Sequence, residues 1–298
     1  MTEVSAPSAA APGGLLRVVQ GGAAAHNARM KIAAVQMVST PDLERNLATA
    51  DALLARAAAA GAELAALPEY FCLMGQEDSA KLSIAEAPGD IVHGRIQRFL
   101  SEAAQRHGLW LVGGTLPVTT DKKDHVYNRC CVYSPSGQEA AHYDKIHLFA
   151  FDNGAERYDE GRVLLAGSTP VAVQAGALRV GLSTCYDLRF PELYRALMQP
   201  PCDVLCVPSA FTYTTGSAHW ELLLRARAVE NQCYVLAPAQ GGKHENGRRT
   251  WGHSMVVDPW GEVLALCEEG EGLVLADVDT EHITQTRARL PALAHRKL

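Results

Sequence analysis

The stretch VAVQAGALRVGLSTC, residues 171–185, decides which kind of sheet this chain forms. Two apolar segments meet at Ala175–Gly176, and this pattern predicts a β-hairpin because glycine is frequent in tight turns. A hairpin joins antiparallel strands, so the sheet is not purely parallel. The second segment leads directly to Cys185, after which the sequence becomes charged at Asp187 and Arg189.

Outside this hairpin, short apolar runs alternate with amphipathic helix patterns. The run at residues 31–37 precedes a helix pattern at 42–61, for which Asp42 is the candidate N-cap. Further hairpins are expected around residues 135–137 and 258–261. We therefore expect an α/β fold in which two mixed sheets pack face to face and helices cover the outer side of each sheet.

Composition narrows the class of protein. The 298 residues carry a formal net charge of −6 and no Lys/Arg run of five or more, which argues against nucleic acid or an anionic membrane as a partner. No apolar stretch approaches the roughly 18 residues of a membrane helix. The 8 cysteines form no C-x-x-C pair and mostly lie in apolar runs, unlike disulfide frameworks or zinc sites. We expect free thiols, no metal site and a reducing compartment such as the cytoplasm.

The start of the chain differs from the rest. Residues 1–29 are rich in Ala, Gly and Pro and show no periodicity, so we expect a disordered leader there. This segment lacks the basic start and apolar core of a secretory signal. Met30 directly precedes the first strand-like run, which makes it a candidate start of translation. Residues 30–298 are expected to form a single domain, because no repeat or linker interrupts residues 31–280.

Three residues carry groups suited to nucleophilic catalysis: Glu69 in LPEYF, Lys145 in YDKIHLF and Cys185 in STCYDLRFPEL. A carboxylate can accept the thiol proton, and an ammonium can stabilise the thiolate and then the oxyanion. Ordinary alternatives are a core cysteine, a strand-end carboxylate in water and a lysine whose amine reaches solvent. Chemistry in open α/β sheets collects beyond the C-terminal ends of strands, so Glu69, Cys185 and Ser209, which follow apolar runs, could meet at one edge.

Taken together, these motifs resemble those of the nitrilase superfamily of carbon–nitrogen hydrolases, whose catalytic triad is Glu, Lys and Cys in this chain order. The resemblance covers roughly residues 31–285. It implies that Glu69 is the base, that Lys145 stabilises the oxyanion and that Cys185 is the nucleophile. It also implies a four-layer α-β-β-α sandwich of the nitrilase type with two mixed sheets, and a reaction that needs no metal or organic cofactor.

The same resemblance implies further functional residues. Glu160 in YDEGR is expected to be a second glutamate that supports the triad, with an ordinary loop carboxylate as the alternative. The backbone N–H of Tyr186 is expected to contribute to oxyanion stabilisation. Members of the superfamily commonly dimerise, so we expect a homodimer or larger homo-oligomer, with residues 190–198 and the region after Leu273 as candidate contacts.

Within the superfamily, residues 216–235 and 252–263 resemble amidases of small α-keto acid amides, and residues 232–254 resemble more closely those that act on deaminated glutathione. We therefore expect cleavage of a terminal amide through a cysteine thioester, with release of ammonia and a preference for deaminated glutathione. The alternatives are α-ketoglutaramate as substrate, or another amidase or nitrilase activity of the superfamily. A binding protein that keeps an inactive fold would lack at least one triad residue, and all three are present. A membrane acyltransferase is not expected without membrane helices.

Candidate substrate contacts follow from the anionic character of both substrates. Arg189 is expected to bind a carboxylate, because a guanidinium offers paired donors, unless it forms an ion pair with Asp187 or Glu192. Ser209 and Phe211, in PSAFTYTTG, are expected to line the pocket. The other candidate cations are interpreted as an exposed basic loop: Arg248 and Arg249.

Overall fold

The structure is a computed structural model that describes residues 17–19, 29–154 and 156–297. Most of the expected leader, residues 1–29, lies outside the described residues, and its assignment stays a prediction. In the described ranges the strands are β1 (Arg17–Val19), β2 (Arg29–Gln36), β3 (Leu64–Ala66), β4 (Trp110–Val112), β5 (Leu116–Thr119), β6 (Val126–Tyr133), β7 (Glu139–Asp144), β8 (Ala150–Asp152), β9 (Arg157–Asp159), β10 (Leu164–Leu165), β11 (Val171–Ala175), β12 (Leu178–Leu182), β13 (Val204–Cys206), β14 (Tyr234–Ala237), β15 (Gly241–Lys243), β16 (Arg249–Trp251), β17 (Ser254–Val257), β18 (Val263–Cys267) and β19 (Gly272–Asp279). The helices are α1 (Leu43–Ala59), α2 (Ala80–Ser83), α3 (Arg95–His107), α4 (Pro191–Leu197), α5 (Tyr213–Asn231) and α6 (Thr280–Arg289), with two 3-10 helices at Glu160–Arg162 and Cys185–Arg189.

Two large sheets organise these strands. Eight described strands form the first sheet, in the order β10-β6-β4-β3-β2-β19, with β5 and β7 also paired to β6. Seven described strands form the second sheet, in the order β1-β11-β12-β13-β14-β17-β18. Each sheet contains parallel and antiparallel neighbours. The three expected hairpins are confirmed as β6–β7, β11–β12 and β17–β18.

Strand β2 shows how the layers pack, because alternate residues of a strand point to opposite faces. Ile32 and Ala34 belong to the core between the sheets, together with Val173 of the second sheet. Ala33 and Val35 belong to a second core, which the first sheet forms with α1 and α3. Both faces of β2 are therefore buried, which explains its continuous apolar sequence.

Helix α5 covers the outer side of the second sheet. Its Trp220, Leu224 and Ala228 are completely buried. An ion pair of 2.8 Å joins Arg227 to Glu230 on the same helix. The order of layers is thus helix, sheet, sheet, helix, and the predicted four-layer α/β sandwich is confirmed.

Strand ends position the candidate site. Glu69 follows β3, Lys145 follows β7 and Cys185 follows β12. No described helix is long and apolar enough to cross a bilayer. All eight cysteines lie in the described ranges and are free thiols.

Candidate active site

The Lys145 side chain lies between two carboxylates in the interior of the protein. Its Nζ is 2.9 Å from Oε1 of Glu69 and 2.7 Å from Oε2 of Glu160. Lys145 and Glu69 are at most 1% exposed, so water screens their interaction little. The structure thus brings together the acid, the amine and the second glutamate that the sequence singled out.

Several elements fix the Glu69 carboxylate. The Asn128 side chain donates to Oε1 at 2.9 Å, and the backbone N–H of Ala210 donates to Oε2 at 3.0 Å. Burial raises the pKa of Glu69, the Lys145 ammonium opposes that rise and the charge of Glu160 adds to it. The net result is a pKa above that of an ordinary glutamate, which makes Glu69 a stronger base.

Glu160 is held in its ionised form. The Tyr70 hydroxyl donates to Oε1 at 2.8 Å and the Phe149 N–H donates to Oε2 at 2.7 Å. Burial alone would raise the pKa of Glu160, but the Lys145 charge and these hydrogen bonds lower it. Burial likewise opposes the charge on Lys145, but Glu160 and Glu69 outweigh it and raise the pKa of Lys145 well above its usual range. Lys145 is therefore a permanent ammonium.

Cys185 begins the 3-10 helix after β12 with a backbone φ of +49°, a left-handed conformation that is uncommon for residues other than glycine. Its N–H donates to the Pro208 carbonyl at 2.9 Å, which holds this turn in place. Burial raises the pKa of the thiol well above its ordinary value; the Glu69 charge adds to the rise and the Lys145 charge opposes it. The resting sulfur is therefore a protonated thiol close to an acid and an amine.

A narrow pocket opens onto Cys185, which is 8% exposed. Its walls combine aromatic rings, hydroxyl groups and one cation, and they include Phe149, Tyr186, Arg189, Ala210, Phe211 and Thr215. Cys185 is therefore part of the wall of this pocket. Cys185 belongs to the core between the sheets, but unlike an ordinary core cysteine it also borders a pocket and lies close to Glu69 and Lys145.

Arg189 faces this pocket without an acidic partner. Its Nη1 lies 3.2 Å from Nδ1 of His219, and its guanidinium carbon lies 5.4 Å from the centre of the Phe211 ring. Among the described residues it forms no ion pair with a carboxylate, so the alternative pairing with Asp187 or Glu192 is not seen. A cation in a pocket wall is available to an anionic ligand.

The remaining candidate residues take different positions. Phe211 lines the pocket, whereas Ser209 is completely buried and its hydroxyl donates to the Val207 carbonyl at 3.0 Å. The Ser209 side chain is therefore engaged below the pocket wall rather than directed at a substrate. Tyr186 lines the pocket and its ring packs edge-on against Phe149, with 5.2 Å between the ring centres.

The two arginines of the β15–β16 hairpin also differ from each other. Arg249 is exposed, forms an ion pair of 2.7 Å with Glu269 and fits the expected basic loop. Arg248 is only partly exposed, and its guanidinium carbon lies 5.2 Å from the centre of the Tyr158 ring. The sequence did not indicate this difference between neighbours.

Sequence reasoning missed four groups that hold the carboxylates: the Asn128 amide, the Tyr70 hydroxyl and the backbone N–H groups of Ala210 and Phe149. Asn128 is one of two polar residues, with Arg129, in the largely apolar strand β6, and Tyr70 directly follows Glu69. Both positions carried a weak signal, whereas a backbone N–H carries none. Within the described residues we find no group of three or more His, Cys, Asp or Glu side chains that could hold a metal ion.

Comparisons with known proteins agree with this geometry. The carbon-nitrogen hydrolase family matches residues 31–288. The deaminated glutathione amidase of Synechocystis sp. is 42% identical over 268 residues, which cover 89% of this chain and 97% of that protein. The chloroplastic omega-amidase of Arabidopsis thaliana is 36% identical over 270 residues, which cover 90% of this chain and 73% of that protein. The crystal structure of Saccharomyces cerevisiae Nit3, a member of branch 10 of the nitrilase superfamily, aligns with a TM-score of 0.82 at 30% identity and covers 91% of this chain and 97% of that chain.

Proposed function

This chain belongs to the carbon–nitrogen hydrolase family and hydrolyses carbon–nitrogen bonds other than peptide bonds, and we propose that its substrate is a small α-keto acid amide, preferably deaminated glutathione. The observation that carries the proposal is the Lys145 ammonium bound to two buried carboxylates beside the Cys185 thiol. The name of the Synechocystis relative supports the choice of substrate.

The first step is proton transfer from Cys185 to Glu69. Lys145 is held as an ammonium and cannot accept this proton, and Glu160 is held ionised by Lys145. Glu69 is left as the base, and its raised pKa makes it a better proton acceptor than an ordinary glutamate. The sulfur then attacks the carbonyl carbon of the amide, and a tetrahedral intermediate forms.

The negative charge that develops on the carbonyl oxygen is stabilised by the Lys145 ammonium and the backbone N–H of Tyr186. Donors of this kind contribute about 3–4 kcal/mol each to transition-state stabilisation. Glu69 returns its proton to the departing nitrogen, ammonia leaves and a thioester remains on Cys185. Water, deprotonated by the same carboxylate, hydrolyses the thioester and regenerates the thiol.

Arg189 accounts for the anionic substrate in this proposal. It lines the pocket with Cys185 and has no carboxylate partner among the described residues. A substrate carboxylate would supply that partner while the amide lies at the sulfur. The similarity to an omega-amidase keeps α-ketoglutaramate as the alternative substrate, since it carries the same two groups.

The experiment that tests the proposal is a comparison of kcat/KM for ammonia release from deaminated glutathione and from α-ketoglutaramate. We expect the first value to be larger, and Cys185→Ala to release no ammonia from either substrate while it unfolds at the wild-type temperature. A tenfold higher kcat/KM for α-ketoglutaramate would show that this amide, and not deaminated glutathione, is the preferred substrate. Ammonia release by the alanine variant would reject the mechanism.

Location and assembly form part of the same proposal. The eight free thiols support a reducing compartment, and we propose the cytoplasm. Exposed apolar side chains of α5 and the β17–β18 turn support a homodimer, among them Leu222 at 67% and Trp260 at 62% exposure. Light scattering on the purified protein tests assembly, and a monomer mass at micromolar concentration would reject the proposed homodimer.

A further inference from the structure

Asp187 is a completely buried carboxylate that lies two residues after Cys185. Its Oδ2 accepts hydrogen bonds from the Tyr143 hydroxyl at 2.6 Å and from the Thr184 N–H at 2.8 Å. Its Oδ1 accepts from the His147 N–H at 3.0 Å and lies 2.7 Å from Nδ1 of the same residue. A buried charge is costly unless such partners satisfy it, and here both oxygens are satisfied.

The origin of these partners is informative. Tyr143 and His147 lie two residues before and two residues after Lys145. To cap the 3-10 helix of Cys185, Asp187 needs only the hydrogen bond from the Thr184 N–H. Its other three contacts come from Tyr143 and His147, in the segment that carries Lys145. Asp187 therefore joins the segment that carries the amine to the turn that carries the thiol.

Neighbouring contacts make this connection stiff. The His147 ring stacks on Phe190, with 3.7 Å between ring centres and 4° between ring planes. The Tyr143 hydroxyl accepts a hydrogen bond from the Ile146 N–H at 3.2 Å. Since Phe190 follows the 3-10 helix of Cys185, the His147 ring is held between the two catalytic segments.

We propose that Asp187 is a positioning residue that, together with His147, sets the Cys185 sulfur relative to the Lys145 ammonium. The inference rests on the proposed function, because it assumes that the thiol attacks while the amine stabilises the oxyanion. Reaction rates depend steeply on such placement, and a misplacement of about 1 Å costs about 100-fold. Asp187 has no contact with substrate in this role and acts only through its neighbours.

Three variants test the role. Asp187→Asn preserves the shape of the side chain but replaces one acceptor oxygen by an NH₂ donor. The variant therefore loses the hydrogen bonds that one of the two oxygens accepts. His147→Ala removes the ring from a residue whose side chain is 26% exposed, and it keeps the test informative if the Asp187 variant folds poorly. His147→Asn restores an N–H donor near the position of Nδ1 and serves as the conservative rescue.

We expect Asp187→Asn and His147→Ala to lower kcat about 10- to 100-fold with little change in KM. The rate at which iodoacetamide alkylates Cys185 should fall in parallel, and His147→Asn should recover most of both rates. The control is Tyr194→Phe, which removes a fully buried hydroxyl that donates to Ser183 at 2.9 Å and makes no hydrogen bond to Asp187 or His147. This control should lose comparable thermal stability and keep the wild-type kcat.

Two results would overturn the inference: wild-type kcat and alkylation rates in Asp187→Asn or His147→Ala, or a Tyr194→Phe variant as slow as they are. Failure of His147→Asn to exceed His147→Ala also counts against it, because the donor would then not matter. A wild-type protein that releases no ammonia from any amide instead contradicts the proposed function, so the two failures are distinguishable.

Discussion

At the scale of single residues, the site is a balance of charges around one lysine. Glu69 and Glu160 both bind Lys145, yet their pKa values move in opposite directions. Glu160 accepts two hydrogen bonds from the Lys145 ammonium, at 3.0 and 2.7 Å, whereas Glu69 accepts one at 2.9 Å, so Glu160 is the main counter-ion of the lysine. Glu69 is left with a raised pKa, and this separation of two similar carboxylates assigns the base.

This balance predicts the effect of Glu160→Gln on the pH profile. Glu69 must be ionised to act, so activity is lost as the pH falls through its raised pKa. Removing the Glu160 charge lowers the pKa of Glu69, and the acid limb of kcat/KM should move to lower pH. The lost charge-assisted hydrogen bond, about 1.5–3 kcal/mol, should also reduce kcat about tenfold or more. Glu192→Gln removes an exposed carboxylate as the control and should leave the limb in place; a limb that moves to higher pH in Glu160→Gln contradicts this assignment.

Arg189 leads to a second prediction at this scale. Arg189→Gln should raise KM for deaminated glutathione about 10- to 100-fold, since a charged hydrogen bond contributes about 1.5–3 kcal/mol. Hydrolysis of an uncharged amide such as propionamide should change much less. Arg249→Gln removes a cation that pairs with Glu269 outside the pocket, and it should leave both substrates unaffected. Equal losses on the charged and the uncharged amide would show that Arg189 supports the pocket rather than the carboxylate.

At the scale of elements, the loop between β4 and β5 supports the base. The Thr115 hydroxyl accepts a hydrogen bond from the Tyr70 N–H at 2.9 Å, directly after Glu69. Gly114 has a φ of +59°, and a Cβ at this position would collide with the Pro68 carbonyl oxygen. The loop therefore approaches the Glu69 segment as closely as a residue without a side chain allows.

Gly114→Ala should consequently displace Pro68 and, with it, Glu69. Gly108→Ala is the matched control, because Gly108 has a similar φ of +65° at the end of α3 but open space around its Cβ position. The free energy of unfolding of the control should fall by about 1–2 kcal/mol, because alanine disfavours the left-handed conformation. Gly114→Ala should lose about 1–3 kcal/mol more from overpacking, and kcat should also fall. Thermal unfolding and ammonia release measure both effects, and equal behaviour of the two variants contradicts the support role.

The sequence was informative about elements wherever periodicity was strong. Strand β2 and helix α1 were predicted because an apolar run precedes Asp42 and a long helical pattern extends from Asp42 to Gly61. The hairpin β11–β12 was predicted because two apolar runs meet at Gly176. The hairpins β8–β9 and β15–β16 were missed, since three-residue strands show no periodicity. Helix α5 begins at Tyr213, where the Thr212 side chain caps it.

The candidate site was predictable only in part, for a related reason. Glu69, Lys145 and Cys185 stand in motifs whose order along the chain marks them. The partners of Asp187 lie 40 and 44 residues away in His147 and Tyr143, and only the packing of two sheets brings them together. Local sequence instead suggested an ion pair between Asp187 and Arg189, which the structure does not contain.

At the scale of the whole molecule, the question is where the folded domain begins. Residues 17–19 form β1, which pairs in parallel with Val171–Val173 at the edge of the second sheet. Met30, the candidate start, is 4% exposed and belongs to the core between the sheets. Arg29 contributes an ion pair to Asp279, but its side chain is 80% exposed, and such surface pairs contribute about 0–1 kcal/mol.

Two deletions separate these contributions. Removal of residues 1–16 keeps β1, whereas removal of residues 1–29 eliminates β1 and leaves the core strand that starts at Met30. We expect both proteins to keep the wild-type kcat/KM and to unfold within a few degrees of the full chain, since a loss of about 1 kcal/mol shifts Tm by about 2–4 °C at this size. If only the longer deletion unfolds at a clearly lower temperature, β1 belongs to the folded domain and the boundary lies before Arg17. If both deletions reduce kcat/KM at unchanged Tm, the leader takes part in substrate binding and the single domain expected over residues 30–298 is too short.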